Sequence, residues 1–406
     1  MTAEPSNRIS SRTWWICIFL FLETMLTYLD RQALALTADK IIADFHLTKE
    51  GFGGVIAAFR YSYGIVQIAG GFLVDAHGPR IVYPAAGGLW SLGGMLIGLA
   101  TTVTMLSGFR LILGAGEAFN WPCALKVTCS LLPPKDRPLA NGIFNSGAAV
   151  GALIAPVIVT LLAVYFSWRA AFVVTGALGS LWVVGWLWYT RESASQLKGV
   201  PLQIGAALRV MARLLGMRGF WALTVSAIII NSVNYYLADW IPLYLKTSRG
   251  FSFAAGNALS TVVYAGSSIG NILVGLVVRK LVARGLAVSV AKKWSLLGSC
   301  VLMGSAVAAG SASNRYAAVG CLALTAVGVA GFLVIYLTLV QDFDPAYVGI
   351  SSGLLGGFGN LAYGYFSPYI GRLADLQRTS LTLTLIGFLP WLAFLAIFPA
   401  IKEQQS

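Results

Sequence analysis

Along most of the chain, apolar residues come in runs of about twenty, the length a helix needs to cross the hydrocarbon core of a bilayer. Twelve runs can be bounded, at 14–35, 52–74, 81–100, 104–130, 138–165, 169–190, 219–246, 252–279, 292–311, 315–340, 347–371 and 380–401. The pattern predicts an all-α membrane protein of twelve transmembrane helices. The longest polar interruption, Arg191 to Arg218, follows the sixth run and divides the chain into six-helix bundles at 1–190 and 219–406, joined by a linker at 191–218. The RESASQLKG opening of the linker and its later basic, amphipathic LRVMARLL predict a segment lying on the membrane surface. A weak repeat agrees with the division. Tyr28-Leu-Asp30 ends the first run and Tyr236-Leu-Ala-Asp239 recurs near the end of the seventh, and the polar loops that follow carry Gly51-Phe52 and Gly250-Phe251. Two pseudo-symmetric halves in one membrane chain are a transporter signature, with the site expected between them.

Composition narrows the class. Of 406 residues, 57% are hydrophobic and 11% charged, against ~25% charged in soluble proteins. The apolar run after Arg12 outlasts a signal-peptide core of ~7 to 15 residues, so it is read as the first span and not a removable leader. The formal charge of +13 is spread over short loops, which excludes a nucleic-acid-binding surface, since no continuous basic domain exists. With the amino terminus inside, sixteen Lys and Arg fall in inner loops and eight in outer ones. The positive-inside rule therefore predicts both termini in the cytoplasm. Cys17, Cys123, Cys129, Cys300 and Cys321 stand singly, without metal-type spacing, and read as small packing residues. No nucleophile with a paired base, no metal cluster and no phosphate-binding loop appears, so no enzyme and no cofactor is expected. A channel or a membrane sensor suits buried ionisable groups in two repeated bundles less well than a carrier does.

Those ionisable groups are the candidate chemistry. Asp30 and Arg31 lie in TYLDRQALAL near the end of the first run, where a charge costs at least a few kcal/mol and persists mainly beside a cavity, a partner or an ion path. Adjacent helical residues point about 100° apart, so each should have its own partner. Glu23 is seven before Asp30, on the same side of the helix. Arg110 and Glu117 are likewise seven apart on the fourth span, with Gly114 and Gly116 between them allowing close packing. At mid-membrane the charged form of Glu117 is penalised by desolvation, which suits a proton carrier. Arg110 is expected to neutralise whichever carboxylate is unprotonated, or to bridge Glu117 or Asp30 statically. Arg60, three before Tyr63, is a further anion donor, while Asp239 and Lys126 read as snorkelling or capping groups. Gly371-Arg-Leu373-Ala-Asp375 reads as a solvated turn.

After the second span the chain reads Gly71-Phe-Leu73-Val-Asp75-Ala-His77-Gly78-Pro-Arg80. This resembles the G-x-L-x-D-x-x-G-x-R signature of the major facilitator superfamily. The likeness implies that fold, with Gly71 permitting close helix approach and Gly71, Asp75, Gly78 and Arg80 forming a conformational latch on the cytoplasmic side. The corresponding loop, Gly275 to Gly285, lacks the aspartate. Tyr28-Leu-Asp30-Arg31-Gln32, Arg110-x6-Glu117, Asn120-Trp121-Pro122-x3-Lys126, Asn141-Gly-Ile-Phe-Asn145-Ser-Gly147, Ser167-Trp168-Arg169-Ala-Ala-Phe172 and Trp240-Ile-Pro242-Leu-Tyr244-Leu245 resemble the anion:cation symporter family, particularly its hexuronate transporters. That resemblance implies a proton-coupled symporter importing organic anions such as glucuronate or galacturonate by alternating access. It also implies a bacterial inner-membrane location and a chain working as a monomer in the bilayer. By position, Arg31 would grip the substrate carboxylate and Asp30 and Glu117 would titrate, with Arg110 as counter-charge. Tyr63, Asn145, Tyr236 and Asn360 would bind sugar hydroxyls. Glu23 adds a carboxylate that could enter the proton stoichiometry. Aldonates, sialic acid and small mono- or dicarboxylates are the alternative substrates.

Overall fold

The computed structural model describes residues 11–132, 137–193, 195–199, 204–343 and 348–401. The expected inner-loop charges at Arg8, Lys135 and Lys402 lie outside these residues. Every regular element among the described residues is helical. In chain order they are α1 (Ser11–Leu36), α2 (Ala38–Asp44), α3 (Lys49–His77), α4 (Pro79–Gly98), α5 (Val103–Glu117), α6 (Asn120–Leu131), α7 (Arg137–Tyr165), α8 (Trp168–Tyr189) and α9 (Ile204–Leu215). Then follow α10 (Arg218–Asp239), α11 (Ile241–Thr247), α12 (Phe253–Ala283), α13 (Val288–Met303), α14 (Ser305–Ser311), α15 (Arg315–Phe343), α16 (Val348–Asp375), α17 (Thr379–Ile397) and a short 3-10 turn, Phe398–Ala400.

Each predicted span coincides with one helix or a broken pair. Eight are long and apolar enough to cross a membrane by length and composition: α4, α7, α8, α10, α12, the α13–α14 pair, α15 and α17. The other four positions are held by α1, α3, the α5–α6 pair and α16. Three of these carry the buried charge, and α16 packs along α3. Proline explains two of the three breaks. Pro122 and Pro242 each lack an N–H and crowd the carbonyl four residues earlier, so helix pairing fails around Ala118–Phe119 and at Trp240. The third falls at Gly304, a residue of low helix propensity.

Packing repeats between the halves. In the first, α1 lies on α7, α3 on α5 and α4 on α8; in the second, α10 lies on α16, α12 on α15 and α14 on α17. The halves meet along α3–α16 and α7–α12. Helix starts at the face away from Ser11 and Ile401 are capped by side chains: Thr48 accepts from the Gly51 amide, Thr102 from Met105, Ser167 from Ala170 and Ser252 from Ala255. Each cap satisfies a backbone donor that the first helical turn would leave unpaired.

At this distal face the halves are closed together. Asp375 accepts from the Lys49 amide at 3.0 Å and the Glu50 amide at 2.9 Å, capping α3 from the other half, while Lys49 Nζ donates to the Ala374 carbonyl. The Gly371 to Asp375 segment is therefore not a solvated turn. Spacing showed a free loop; the partner helix makes it a joint. Lys246 pairs with Asp39 at 2.6 Å and donates to the Leu36 carbonyl, and Asn257 donates to Thr160. Gly53 and Gly64 of α3 lie against the α16 backbone at Ser367 and Gly357. Toward the face of Ser11 and Ile401, Asn145 on α7 is exposed, and nothing stands within 4 Å of a side chain built at Gly71 or Gly142. The close helix approach expected at Gly71 is absent in this arrangement, the space beside it being open.

Candidate transport site

Along α1, successive functional side chains leave in different directions, and each finds a different wall. Glu23 and Asp30, two turns apart, both face α4 and α8. Glu23 Oε1 accepts from the indole of Trp90 at 2.8 Å, and Asp30 Oδ1 accepts from Thr175 Oγ1 at 2.9 Å. Both carboxyls are buried, so Glu23 sits within the first bundle and not in the cleft between halves. The wall that holds them is aromatic: Trp90, Tyr83, Trp182 and Trp186 pack between α4 and α8, and the Trp182 indole donates to the Phe19 carbonyl.

Arg31 points the other way, between Tyr28 and Tyr63, whose rings lie 5.2 and 4.6 Å from its guanidinium carbon. Its Nε donates to Glu117 Oε2 at 2.5 Å, with the arginine side chain 15% exposed and the glutamate 0%. Glu117 ends α5 at the proline-induced break, which turns the chain there. The shared face of Arg110 and Glu117 does not make them a pair. Arg110 stacks 4.4 Å over Phe59, and its Nε and Nη1 have no hydrogen-bond partner. Arg31 instead reaches Glu117 across the bundle. Glu23 Oε2, Asp30 Oδ2 and Glu117 Oε1 are likewise buried without partners, a costly arrangement for ionised carboxylates and a cheaper one once a proton is held there.

A second charged group straddles the halves. Arg60 pairs with Asp239 at 2.9 Å and donates to Asn360 Oδ1 at 3.3 Å, its guanidinium lying 3.8 Å over the Tyr235 ring. Asp239 is thus neither a cap nor a snorkelling group, because the partner half brings a buried cation to it. Asn360 also donates to Gln67. Tyr63 and Asn360 stand in this central region. Tyr236 does not: it is buried nearer the distal face, beside Trp240 and Tyr244 in a small pocket, and its neighbour Tyr235 takes the central position. Tyr235 went unremarked in the sequence, although a step of one residue around the helix was the only difference.

The latch residues separate as well. Asp75 pairs with Lys126 at 2.6 Å, which takes Lys126 from the snorkelling role, and does not pair with Arg80. The Arg80 amide donates to the Leu197 carbonyl. Gly78 has φ +79°, and a Cβ there would lie 2.3 Å from the Leu197 carbonyl oxygen. The linker is seated on this turn, with Gly199 against the Ala76 carbonyl. Cys129 is exposed, unlike Cys17, Cys123 and Cys300.

Two helical bundles meeting at a distal joint, with charged groups where they part, define a membrane transporter. The major facilitator superfamily model matches residues 20–367, and the chain belongs to that superfamily. It is 28% identical to the hexuronate transporter of Escherichia coli K12, over 97% of this chain and 92% of that one. Identity to the galacturonate transporter of Dickeya chrysanthemi is 27%, over 79% of this chain and 97% of that one, and to a probable galactarate/D-glucarate transporter of Bacillus subtilis 26%, over 89% and 85%. Among solved structures, a D-xylose-proton symporter superposes with a TM-score of 0.77 at 14% identity, covering 97% of this chain and 99% of that one. An inward-facing, unoccupied bacterial homologue of the lysosomal transporter Spinster gives 0.73 at 18% identity, covering 97% of each.

Proposed function

We propose that the protein is a proton-coupled symporter that imports hexuronates such as glucuronate or galacturonate by alternating access between its two halves. The observation that carries this reading is the Arg31–Glu117 pair: a cation flanked by tyrosines, at the edge of the cleft, paired with a wholly buried carboxylate. A planar guanidinium suits a substrate carboxylate, which binds it by two parallel hydrogen bonds. When the substrate takes Arg31, Glu117 loses its partner and takes up a proton, so anion and proton enter together. Asp30 and Glu23, with one orphan oxygen each, are the further proton acceptors, and Arg110 holds the balance of charge. Tyr63, Asn145 and Asn360 line the path of the sugar hydroxyls.

The membrane is the bacterial inner membrane, with both termini in the cytoplasm, so the closed distal face is outward and the cleft opens inward. Gly71, Asp75, Gly78 and Arg80 form the inward latch, and the chain works as a monomer. The charge balance of the loops supports the orientation, and the relatives' named substrates support the sugar-acid class. A second reading, an aldarate with two carboxylates, is favoured by Arg60 and by the galactarate/D-glucarate relatives.

Purified protein in liposomes should accumulate glucuronate when the outside is acidified. Glu117→Gln should lose this pH-driven accumulation while exchange between preloaded and external substrate persists. Equal loss of both activities would make Glu117 a packing residue. Failure of the wild type to accumulate any sugar acid would end the proposal.

A further inference from the structure

Arg31, Arg60 and Arg110 surround one phenyl ring, with guanidinium carbons 5.6, 5.5 and 4.4 Å from the Phe59 centroid. Arg31 and Arg60 are therefore no farther apart than about twice the larger of these distances. An extended six-carbon chain spans roughly 6 Å between its end carbons, so one sugar acid and its hydrogen bonds bridge the two sites. The arginines differ in where their carboxylates come from. Glu117 belongs to the same half as Arg31 and travels with it. Asp239 belongs to the opposite half from Arg60, and closing the distal joint is what brings the two together.

We infer that Arg60 is a second anion-capture group and that Asp239 is the protein's own stand-in for a substrate carboxylate there. The inference rests on the sugar-acid reading above and assigns a role that reading leaves open. When α3 and α16 part at the distal face, Arg60 leaves Asp239. The Arg60 side chain, 5% exposed in the closed arrangement, then faces the opened side without a counter-ion, and its unbalanced positive charge attracts an anion from the medium. An incoming carboxylate supplies it. The Arg60 Nε, buried and without a partner, gives the fork a second donor for a bidentate contact. Tyr235 backs the guanidinium face, and Asn360 stands ready for a hydroxyl. As the joint recloses, Asp239 retakes Arg60, one carboxylate replaces another with no change of charge, and the substrate passes toward Arg31 and the open cleft. Asp239 is thus a release group, and Arg60 sets affinity on the outward side.

The test is D-glucuronate binding to the purified full chain by calorimetry, with uptake kinetics in liposomes. Asp239→Asn removes the competing carboxylate and should tighten glucuronate binding about tenfold, lowering KM while also lowering the maximal rate, because release slows. Arg60→Gln should weaken binding at least tenfold, and the Arg60→Gln/Asp239→Asn double variant should bind as weakly as Arg60→Gln. Arg60→Lys, which keeps the charge without the fork, should fall between wild type and Arg60→Gln; this comparison stands even if Asp239→Asn does not fold. If Asp239→Asn binds no tighter than wild type, or Arg60→Gln binds as well, the pair only joins the halves and the assignment is overturned, with the sugar-acid reading intact. If wild type binds no sugar acid, both fall.

Discussion

Gly53→Ala separates the energy of closing the distal joint from the energy of folding. Gly53 and Gly54 are neighbours in the first turns of α3, and either change to alanine gains helix propensity of about 1 kcal/mol. Their surroundings differ. A Cβ on Gly53 would lie 2.4 Å from the Ser367 carbonyl oxygen and 2.8 Å from Pro368 Cα, both backbone of the other half, whereas one on Gly54 meets nothing within 4 Å. Overpacking of this kind costs about 1 to 3 kcal/mol. The clash exists only while α3 and α16 are in contact, so that cost falls on the closed arrangement and not on either bundle. The ratio of closed to open forms should drop roughly 5- to 150-fold, shifting the protein toward the distally open form. In a Cys129→Ser/Asn145→Cys background, which removes the exposed native thiol and places one at an exposed position toward the face of Ser11, maleimide labelling should slow with Gly53→Ala and stay unchanged with Gly54→Ala. Uptake should fall in parallel, with the melting temperature of neither variant reduced. Identical labelling and uptake for the two alanines would refute the joint.

Trp90→Phe leaves Glu23 Oε1 without its donor beside an oxygen that already lacks one; an orphaned buried acceptor costs about 1 to 3 kcal/mol, read as a lower melting temperature that Leu89→Phe, on the exposed side, does not show. Gly78→Ala meets both a positive φ and the Leu197 carbonyl, with about 1 to 3 kcal/mol from the backbone alone; limited proteolysis should cut the 195–199 segment faster, and unchanged cleavage would mean the linker is held elsewhere. At the distal face, hydrogen bonds from Trp168 and Arg169 hold the half-exposed Asp44 carboxyl below its ordinary value. A depressed native value stabilises the fold above the unfolded carboxyl's pKa of about 4 and loses that contribution as pH drops through the native one. The wild type should therefore melt slightly above Asp44→Asn at pH 6 and converge with it near pH 3; a gap that widens on acidification would reverse the sign and refute the assignment.

The twelve helical positions were legible because hydrocarbon leaves the backbone few choices: its polar groups must pair within the segment, and a run of about twenty apolar residues forms a helix whatever surrounds it. Burial of Glu23, Asp30, Arg110 and Glu117 was legible for the same reason, from charges placed within such runs. Who meets whom was not. Spacing along one helix gives a side chain's direction around that helix's own axis and says nothing of what stands opposite. The Arg31–Glu117, Arg60–Asp239 and Glu50–Asp375 contacts join residues 86, 179 and 325 apart in the chain. Register put Arg110 on the same face as Glu117, yet α1 packed into the first bundle delivers Arg31 there. One residue of rotation places Tyr235, not Tyr236, over Arg60. Asp375, a solvent-facing turn by sequence, becomes the cap of α3 only because glycines at 53, 64 and 371 let two helices from different halves come close enough to share a terminus.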